Sequence, residues 1–495
     1  MIKGSLSKIT STKPKVLGKT FSLSPEGGLN KATAGQMLAG PLEVLSFDSP
    51  SALSKLLQGF GHDQALCASV PASGLLTVPL VTRKALASTP GAIARTKEAF
   101  TWPDGPGLLV LDYDPPKQGE VLPPDGLYAA VVGVAPGLAD AGCVWWASGS
   151  SCIVNTATGE DLAPMKGQRL YLMLAQAADG PRCLQVLNQR LWLARHGRVE
   201  ISASGALLVR SLFDEAMGQT ARLDFAPAGS ICEPPLQQQR GQPRVLSSGG
   251  FADSLAAVPD LSADELGRYQ ALVEEAKEGQ RAAADAARGA WKAARVAAGL
   301  PGLMQQGLTA GDAEARLTRC IDAAFSGVLL GDFVLTLVDE AGARREVTVS
   351  DVLADRIAFN GLDLLDPVNP GHRDGSPDAR LYLLGSSPIA YSLDEGGQVY
   401  RLRRQHVSIE ASRGHRQDLV DRLRSEVIAW DDAYTGPAGL PVVVDGGRLL
   451  PLTVDRLSLA VGSRCALFTP SKEGRRTAYD LPRETAQLLL ASLQS

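Results

Sequence analysis

The stretch Leu108-Leu-Val-Leu-Asp-Tyr-Asp114 consists of four apolar residues and two carboxylates around a tyrosine, and Pro115 and Pro116 follow it directly. An apolar run without helical periodicity that ends at prolines predicts a buried β-strand. Because side chains alternate along a strand, Asp112 and Asp114 are expected on one face, about 6.6 Å apart along the axis. Two such carboxylates suit hard divalent cations, which prefer oxygen ligands. Solvated acids at a strand end are the alternative.

The composition of the 495 residues predicts a globular protein of about two to four domains. No apolar run is long enough to cross a membrane, so no membrane contact is expected. The net charge of -4 excludes a uniformly basic surface, and nucleic-acid binding would need local clusters of Lys and Arg. Seven cysteines without a Cys-x-x-Cys pair predict reduced thiols and a cytoplasmic location.

A third carboxylate, Asp214, follows a second strand-like run at residues 206–209, and Arg222 comes eight positions after it. Three carboxylates can surround two metal ions about 3.5 to 4 Å apart, an arrangement suited to in-line phosphoryl transfer. The arginines would stabilise the negative charge on the phosphates. This hypothesis requires the tertiary structure to bring Asp214 to the first two acids.

Between the acidic segments, an apolar strand opens into a loop of small polar residues, Ser148-Gly-Ser-Ser151. Such a loop can direct backbone N–H groups and hydroxyls toward an anion, although Ser/Gly clusters also form ordinary turns. A further apolar strand begins at Arg169.

These segments resemble, in the same order, the motifs of the archaeo-eukaryotic primase superfamily, in the primase-polymerase forms carried by plasmids, prophages and integrative elements. The motifs are Leu111-Asp-Tyr-Asp114, then the loop Ser148–Ser151 with Gly167-Gln-Arg-Leu-Tyr171, and finally Asp214 with Arg222. The resemblance covers roughly residues 20–250. It implies that Asp112, Asp114 and Asp214 are catalytic and bind Mg²⁺ or Mn²⁺. It also implies a set of nucleotide-binding residues: Ser148, Ser150, Ser151, Arg169, Arg210 and Arg222.

The chain departs from the family pattern at Arg169, where the family has a nucleotide-contacting histidine. Arginine keeps the affinity for phosphate but lacks a ring that titrates near neutral pH. Triphosphate binding with altered geometry and a weakened or inactive polymerase are both compatible with this change. Asp224 is interpreted as a salt-bridged surface carboxylate outside the metal set, because its position beyond Arg222 does not fit the third acid of the family.

In the second half, a capping box of Ser262 and Glu265 predicts the start of a long helix that ends at Gly299, before Pro301. Cationic side chains and one tryptophan recur along it, and they form either a stripe for single-stranded nucleic acid or a solvated helix face. The residues of this stripe are Arg281, Arg288, Trp291, Lys292 and Arg295.

The expected fold class is an α/β (α+β) primase-like core with a long helical linker, a smaller β-rich domain and a C-terminal α/β segment. The predicted boundaries are a flexible basic N-terminal arm (1–19), the catalytic domain (20–258), the linker (259–300), the β-rich accessory domain (301–410) and the C-terminal segment (411–495). No Gly-x-x-x-x-Gly-Lys-Ser/Thr motif occurs, so a separate helicase is an expected partner.

The leading hypothesis is a DNA primase or primase-polymerase that makes primers on a single-stranded DNA template from nucleoside triphosphates, for replication of a mobile element. Two alternatives remain open. The same three acids could serve a metal-dependent nuclease, or the protein could be a catalytically degenerate DNA-binding replication protein.

Overall fold

A computed structural model describes residues 2–35, 37–116, 119–305, 307–339, 342–371, 375, 377–384, 387–393, 397–403, 407–411, 415–428, 433–436, 439–445, 448–470 and 476–494. The chain is mixed α/β and divides into two compact units, Met1–Glu200 with Val209–Gln280 and Ile201–Leu208 with Arg281–Ser495. The boundary therefore falls inside the long helix and not at residue 258. Within the described ranges, no helix has both the length and the apolar character needed to cross a membrane. All seven cysteines are free thiols.

Strands dominate the chain before the long helix. They are β1 (Gly4–Thr10), β2 (Gly18–Leu23), β3 (Leu29–Ala34), β4 (Ala39–Phe47), β5 (Gln64–Cys67), β6 (Val70–Pro71), β7 (Thr77–Val81), β8 (Ile93–Ala94), β9 (Phe100–Thr101), β10 (Gly107–Tyr113), β11 (Gly142–Ala147), β12 (Ile153–Asn155), β13 (Glu160–Ala163), β14 (Gln168–Leu174), β15 (Arg198–Ile201), β16 (Leu207–Arg210), β17 (Ser230–Cys232), β18 (Leu236–Gln238) and β19 (Arg244–Ser248). The helices are α1 (Pro50–Gln58), α2 (Pro124–Val134), α3 (Gly180–Leu193) and α4 (Ser254–Ala257).

The central sheet has the strand order β10-β14-β11-β19, with antiparallel neighbours. Every residue of β10 is buried, so the prediction of a buried strand at this point is confirmed. In the register of the sheet, Arg169 on β14 lies opposite Asp112 on β10 and Trp146 on β11. The ends of β10 and β11 and the start of β14 therefore share one edge of the sheet.

The prediction of a flexible basic arm at residues 1–19 is wrong, because β1 lies inside a second sheet of order β5-β1-β4-β7-β8. The side chains of Leu6 and Ile9 are fully buried. Lys8 lies on the same strand face as Leu6, is partly exposed and pairs with Glu43 at 2.8 Å. A strand with only two apolar residues among two serines, a lysine and a threonine carries a weak hydrophobic pattern, so its burial depends on pairing with strands from later in the chain.

The long helix α5 (Ala263–Gln305) contains 43 residues, which corresponds to about 65 Å. The predicted capping box is confirmed: the Ser262 N–H donates to Glu265 Oε2 at 2.9 Å, and the Glu265 N–H donates to Ser262 Oγ at 3.3 Å. The predicted end at Gly299 is wrong, since the helix continues through Pro301. Gly299 instead allows a close approach of Leu317, whose side chain would lie 2.8 Å from an added Cβ.

The second unit contains a seven-stranded sheet that follows α6 (Ala310–Phe325). In the order of the sheet, the strands are β20 (Val328–Leu329), β26 (Gln398–Leu402), β25 (Ile389–Ser392), β24 (Ala379–Tyr382), β23 (Asp363–Leu364), β21 (Val334–Val338) and β22 (Arg344–Thr348). Two short helices, α7 (Val349–Ala354) and α8 (Arg356–Phe359), interrupt it. Helix α7 begins directly after β22, because Thr348 and Asp351 form a capping box.

The C-terminal segment has its own buried core around Leu423, Leu457 and Leu489. Two three-stranded sheets and three helices contribute to it. They are α9 (Arg416–Ile428), β27 (Val407–Glu410), β28 (Ala433–Thr435), β29 (Pro441–Asp445), β30 (Arg448–Pro451), α10 (Val454–Arg464), β31 (Cys465–Pro470), β32 (Arg476–Ala478) and α11 (Arg483–Gln494).

Candidate active site

The structure brings the three predicted acids to the same edge of the central sheet. The backbone N–H of Asp214 donates to the carbonyl oxygen of Asp112 at 3.0 Å, and the adjacent Tyr113 and Phe213 form a β-bridge. Asp214 Oδ1 accepts the N–H of Ala216 at 3.0 Å and so starts a short 3₁₀ turn. The turn orients Asp214 next to the end of β10, where Asp112 and Asp114 lie.

The acids act on one another electrostatically. Burial, together with the carboxylates of Asp114, Asp224 and Asp214, raises the pKa of Asp112 to about 7, although Arg169 opposes the shift. The carboxylates of all four residues therefore contribute to one negative cluster. A positive charge that entered this cluster would be stabilised.

Arg169 already supplies one such charge. Its Nη1 donates to Asp112 Oδ1, and its Nε donates to Asp224 Oδ1 at 3.1 Å. The guanidinium is nearly buried, with 13% of the side chain exposed. Arginine cannot lose its proton under physiological conditions, so this cation is a permanent part of the site.

Asp224 is not the surface carboxylate that its sequence position suggested, since its side chain has no exposed area. Besides the bond from Arg169, its Oδ1 accepts the N–H of Ala226 at 3.0 Å. Its Oδ2 accepts the hydroxyl of Tyr171 at 2.7 Å. The sequence analysis assigned no role to Tyr171. This residue lies two positions after Arg169 and therefore on the same face of β14, and that spacing could have indicated its place in the site.

The serine loop lies beside Asp114. Ser148 and Ser151 are buried, and their hydroxyls are 3.2 Å apart. Ser151 Oγ donates to the carbonyl of Gly167 at 3.2 Å and accepts the N–H of Lys166 at 3.2 Å, so it holds the loop against the start of β14. Ser150 Oγ lies 3.4 Å from Ser148 Oγ and is partly exposed.

Gly167 makes this close approach possible. An added Cβ at Gly167 would lie 2.6 Å from Ser148 Oγ and 3.3 Å from Asp114 Oδ1. The backbone of residue 167 therefore separates the serine loop from the exposed carboxylate of Asp114, and only a glycine leaves room for both.

Two further cations lie close to the acids. The Arg222 Nη2 is 3.6 Å from Asp214 Oδ2, and about one third of its side chain is exposed. Lys19 was assigned to the N-terminal arm, but it lies on β2. Burial lowers the pKa of Lys19, as does Lys31, while Asp114 and Asp112 oppose the shift. Arg210, in contrast, is exposed at the end of β16, and no hydrogen bond or ion pair among the described residues joins it to the acids.

Arg240 is a structural residue that sequence reasoning missed. Its guanidinium lies 3.7 Å from the centre of the Trp146 ring and donates to the carbonyls of Ala147, Ala226 and Pro227. It thus ties the end of β11 to the segment that follows Asp224. No sequence motif marks it, because all its acceptors are backbone atoms.

Most residues of the basic stripe on α5 form contacts within the second unit. Trp291 packs edge-on against Phe325, with ring centres 5.3 Å apart. Lys292 pairs with Asp322, and Arg288 donates to the carbonyl of Gly205 at 3.0 Å. The guanidinium of Arg295 lies 5.3 Å from the centre of the Trp291 ring. Arg281 also has a partner. These contacts explain the stripe without nucleic acid, whose binding there stays a prediction.

The donors present suit a hard divalent cation by their chemistry, because Asp112, Asp114 and Asp214 offer only oxygen. One oxygen of Asp112 is already bonded to Arg169. In the part of the chain that the structure describes, no three or more His, Cys, Asp or Glu side chains are grouped as a metal site. The donor atoms of these residues therefore suit a divalent ion. Their arrangement in the structure, however, is that of a cluster paired with Arg169.

Comparison of the chain with protein-family models, with curated proteins and with solved structures finds no match.

Proposed function

We propose that this protein is a template-directed nucleotidyltransferase of the primase or primase-polymerase type, which uses nucleoside triphosphates on single-stranded DNA. The observation that carries the proposal is the backbone hydrogen bond between Asp214 and Asp112. It joins the first and third motifs of the resemblance, and the serine loop of the second motif lies beside Asp114. Three segments that are distant in sequence thus meet at one edge of a sheet.

In the proposed reaction, the 3′ hydroxyl of a primer or first nucleotide attacks the α-phosphate of a bound triphosphate. A new phosphorus–oxygen bond forms, pyrophosphate leaves, and the hydroxyl proton passes to solvent or to a nearby carboxylate. Mg²⁺ or Mn²⁺ held by Asp112, Asp114 and Asp214 would supply charge neutralisation and lower the pKa of the attacking hydroxyl.

The protein residues would bind and orient the triphosphate. Arg222 is partly exposed next to Asp214, where it can donate to phosphate oxygens. Ser150 and Ser148 offer hydroxyls on the loop beside Asp114. Arg169 is a positioning residue, because it touches Asp112 and Asp224 and holds the first acid in place.

A catalytically degenerate DNA-binding protein is the second candidate, and one observation favours it. The guanidinium of Arg169 neutralises the carboxylate of Asp112, a role that a divalent ion would otherwise have. If the ion pair between Arg169 and Asp112 never separates, the protein would keep the fold but would not catalyse nucleotidyl transfer.

Primer synthesis on a circular single-stranded DNA, with Mg²⁺ or Mn²⁺ and labelled nucleotides, tests the proposal. We expect products from the wild type, and a loss of about 100-fold or more in Asp114→Asn, because the variant lacks one of the carboxylates that would hold the metal ion at the reacting phosphate. Asp161→Asn, an exposed acid on β13, is the matched control and should retain full synthesis.

Other outcomes point elsewhere. Shortening of a labelled strand without nucleotides would identify a nuclease built on the same acids. DNA binding without synthesis, nucleotide binding or cleavage would identify the degenerate protein.

A further inference from the structure

We propose that a cavity in the second unit binds a small zwitterion of the amino-acid class, whose ammonium group pairs with Asp366 and whose carboxylate pairs with Arg288. The cavity has a volume of about 190 Å³ and is lined by residues of α5, α6 and β26, among others. A single buried water needs about 10 to 15 Å³, while pockets for drug-sized ligands hold about 300 to 1,000 Å³. The volume therefore suits a small molecule. This inference concerns the second unit and does not depend on the proposed function.

The first argument is a buried carboxylate with one oxygen that lacks a partner. Asp366 lines the cavity and is 3% exposed. Its Oδ1 accepts the backbone N–H groups of Val368 and Asn369, and these bonds fix the side chain. Its Oδ2 is buried and has no hydrogen-bond partner among the described residues. A buried carboxylate oxygen without a donor is costly, so a ligand that donates to Oδ2 would be bound favourably.

The second argument is a buried donor of an arginine that lines the same cavity. The Nε of Arg288 is buried and also lacks a partner in the described part of the chain. Other atoms of this guanidinium are held by the protein, because Nη2 donates to the carbonyl of Gly205 at 3.0 Å and Nη1 lies 3.9 Å from Asp285 Oδ1. An added Cβ at Gly205 would lie 2.7 Å from Arg288 Cβ, so the turn at Gly205 packs closely on the arginine. Arg288 is therefore already positioned for a ligand.

The charges of the two groups select the class of ligand. Hydrogen bonds between ionised groups are about twice as strong as those between neutral ones, so a carboxylate is best satisfied by an ammonium group and a guanidinium by a carboxylate. A ligand with a single charge would leave either Asp366 Oδ2 or Arg288 Nε without an ionised partner. A zwitterion supplies both partners and adds no net charge. Phe325 and Val368 also line the cavity, and their apolar surface suits an aliphatic side chain on the ligand.

Isothermal titration calorimetry of the full chain with three matched compounds tests the pairing. L-Valine carries both charges, isobutylamine has the same carbon branch with only the ammonium group, and isovalerate has it with only the carboxylate. We expect L-valine to bind, and each analogue to bind more weakly by a factor of about 10 to 100, because each loses one charge-assisted hydrogen bond. Equal affinities for the three compounds, or no binding of L-valine at millimolar concentrations, would show that the cavity holds only water and would overturn the inference.

Two variants assign the charges of the ligand to the two residues. Asp366→Asn keeps an oxygen for the N–H groups of Val368 and Asn369 but replaces Oδ2 by an amide N–H₂ group. It should weaken L-valine about 10-fold or more and leave isovalerate unchanged. Arg288→Lys keeps the positive charge but lacks Nε, so it should weaken L-valine and isovalerate and leave isobutylamine unchanged.

Asp363→Asn is the matched control, because Asp363 pairs with Arg380 at 2.6 Å on a partly exposed part of the same sheet. It should bind L-valine as the wild type does. A folded Asp366→Asn variant, judged by circular dichroism, that binds L-valine with undiminished affinity contradicts the inference. If this variant does not fold, the comparison of the three compounds on the wild type decides. Primer synthesis by the wild type, measured separately, bears on the first unit alone, so either proposal can fail while the other stands.

Discussion

The N–H of Asp214 donates a 3.0 Å hydrogen bond to the carbonyl oxygen of Asp112, across a large separation in sequence. This bond places the third acid beside the first without any contribution from the two side chains. The carboxylates are therefore left to interact with cations, and Arg169 and Arg222 are the cations that they contact.

Replacing Tyr171 by phenylalanine should destabilise the first unit. The hydroxyl donates to Asp224 Oδ2 in a buried environment, and its loss leaves a carboxylate oxygen without a partner. The free energy of unfolding in urea should fall by about 1 to 3 kcal/mol. Tyr128→Phe is the control, since that hydroxyl is exposed and donates to a carbonyl at 3.3 Å. Equal losses in the two variants would contradict the burial argument.

Replacing Arg169 by methionine should have a larger effect, because it removes one partner from two buried ion pairs. We expect the free energy of unfolding to fall by about 3 to 5 kcal/mol. The control Arg244→Met removes an exposed pair with Asp125 and should cost less than about 1 kcal/mol. Chemical denaturation of both variants measures the difference. A loss for Arg169→Met that is no larger than that of the control would show that the pair is not buried in solution.

A methyl group at position 167 should disturb the loop and the adjacent acid together. The Cβ of Gly167→Ala would lie 2.6 Å from Ser148 Oγ, so the loop must shift. This shift should lower the free energy of unfolding by about 1 to 3 kcal/mol. Primer synthesis should also fall, because Ser148 and Asp114 lie on either side of residue 167. Gly133→Ala is the matched control. It lies in α2 with open space around the added Cβ, and it should stabilise by about 0.5 to 1 kcal/mol. Undiminished synthesis by a folded Gly167→Ala would exclude the serine loop from the site.

Replacing Trp291 by alanine separates the two interpretations of the basic stripe. Because the indole packs edge-on against Phe325, its loss should destabilise the second unit by at least about 0.5 to 1.5 kcal/mol. The affinity for single-stranded DNA, measured by fluorescence anisotropy, should not change. A weaker affinity at unchanged stability would instead support a nucleic-acid surface along α5.

The residue after the C-cap of α3 offers a stabilising change. Arg195 has a backbone φ of +66°, and His196 donates its N–H back to the carbonyl of Leu191 at 2.9 Å. A side chain in this left-handed conformation costs about 1 to 2 kcal/mol, which glycine avoids. Arg195→Gly should therefore raise the melting temperature, as measured by calorimetry. A lower value would show that the arginine side chain contributes more than the strain it carries.

Local patterns were sufficient for several parts of the fold. Four apolar residues before two acids predicted β10, and Ser262 with Glu265 predicted the start of α5, because both depend on neighbours in sequence. The same local reasoning was wrong for residues 4–10 and for the end of α5. In both places, contacts with residues distant in sequence outweigh the local pattern. Residues 4–10 pair with neighbouring strands, and Leu317 packs closely against Gly299.

The sequence by itself determined which chemical groups this protein has: acids at the end of a buried strand, a serine loop, and an arginine at position 169. Only the tertiary structure decided that Asp214 meets Asp112, and that Arg169 bonds to both Asp112 and Asp224. The physical reason is that periodicity and capping act over a few residues, whereas the register between β10 and β14 is selected by the packing of the whole unit.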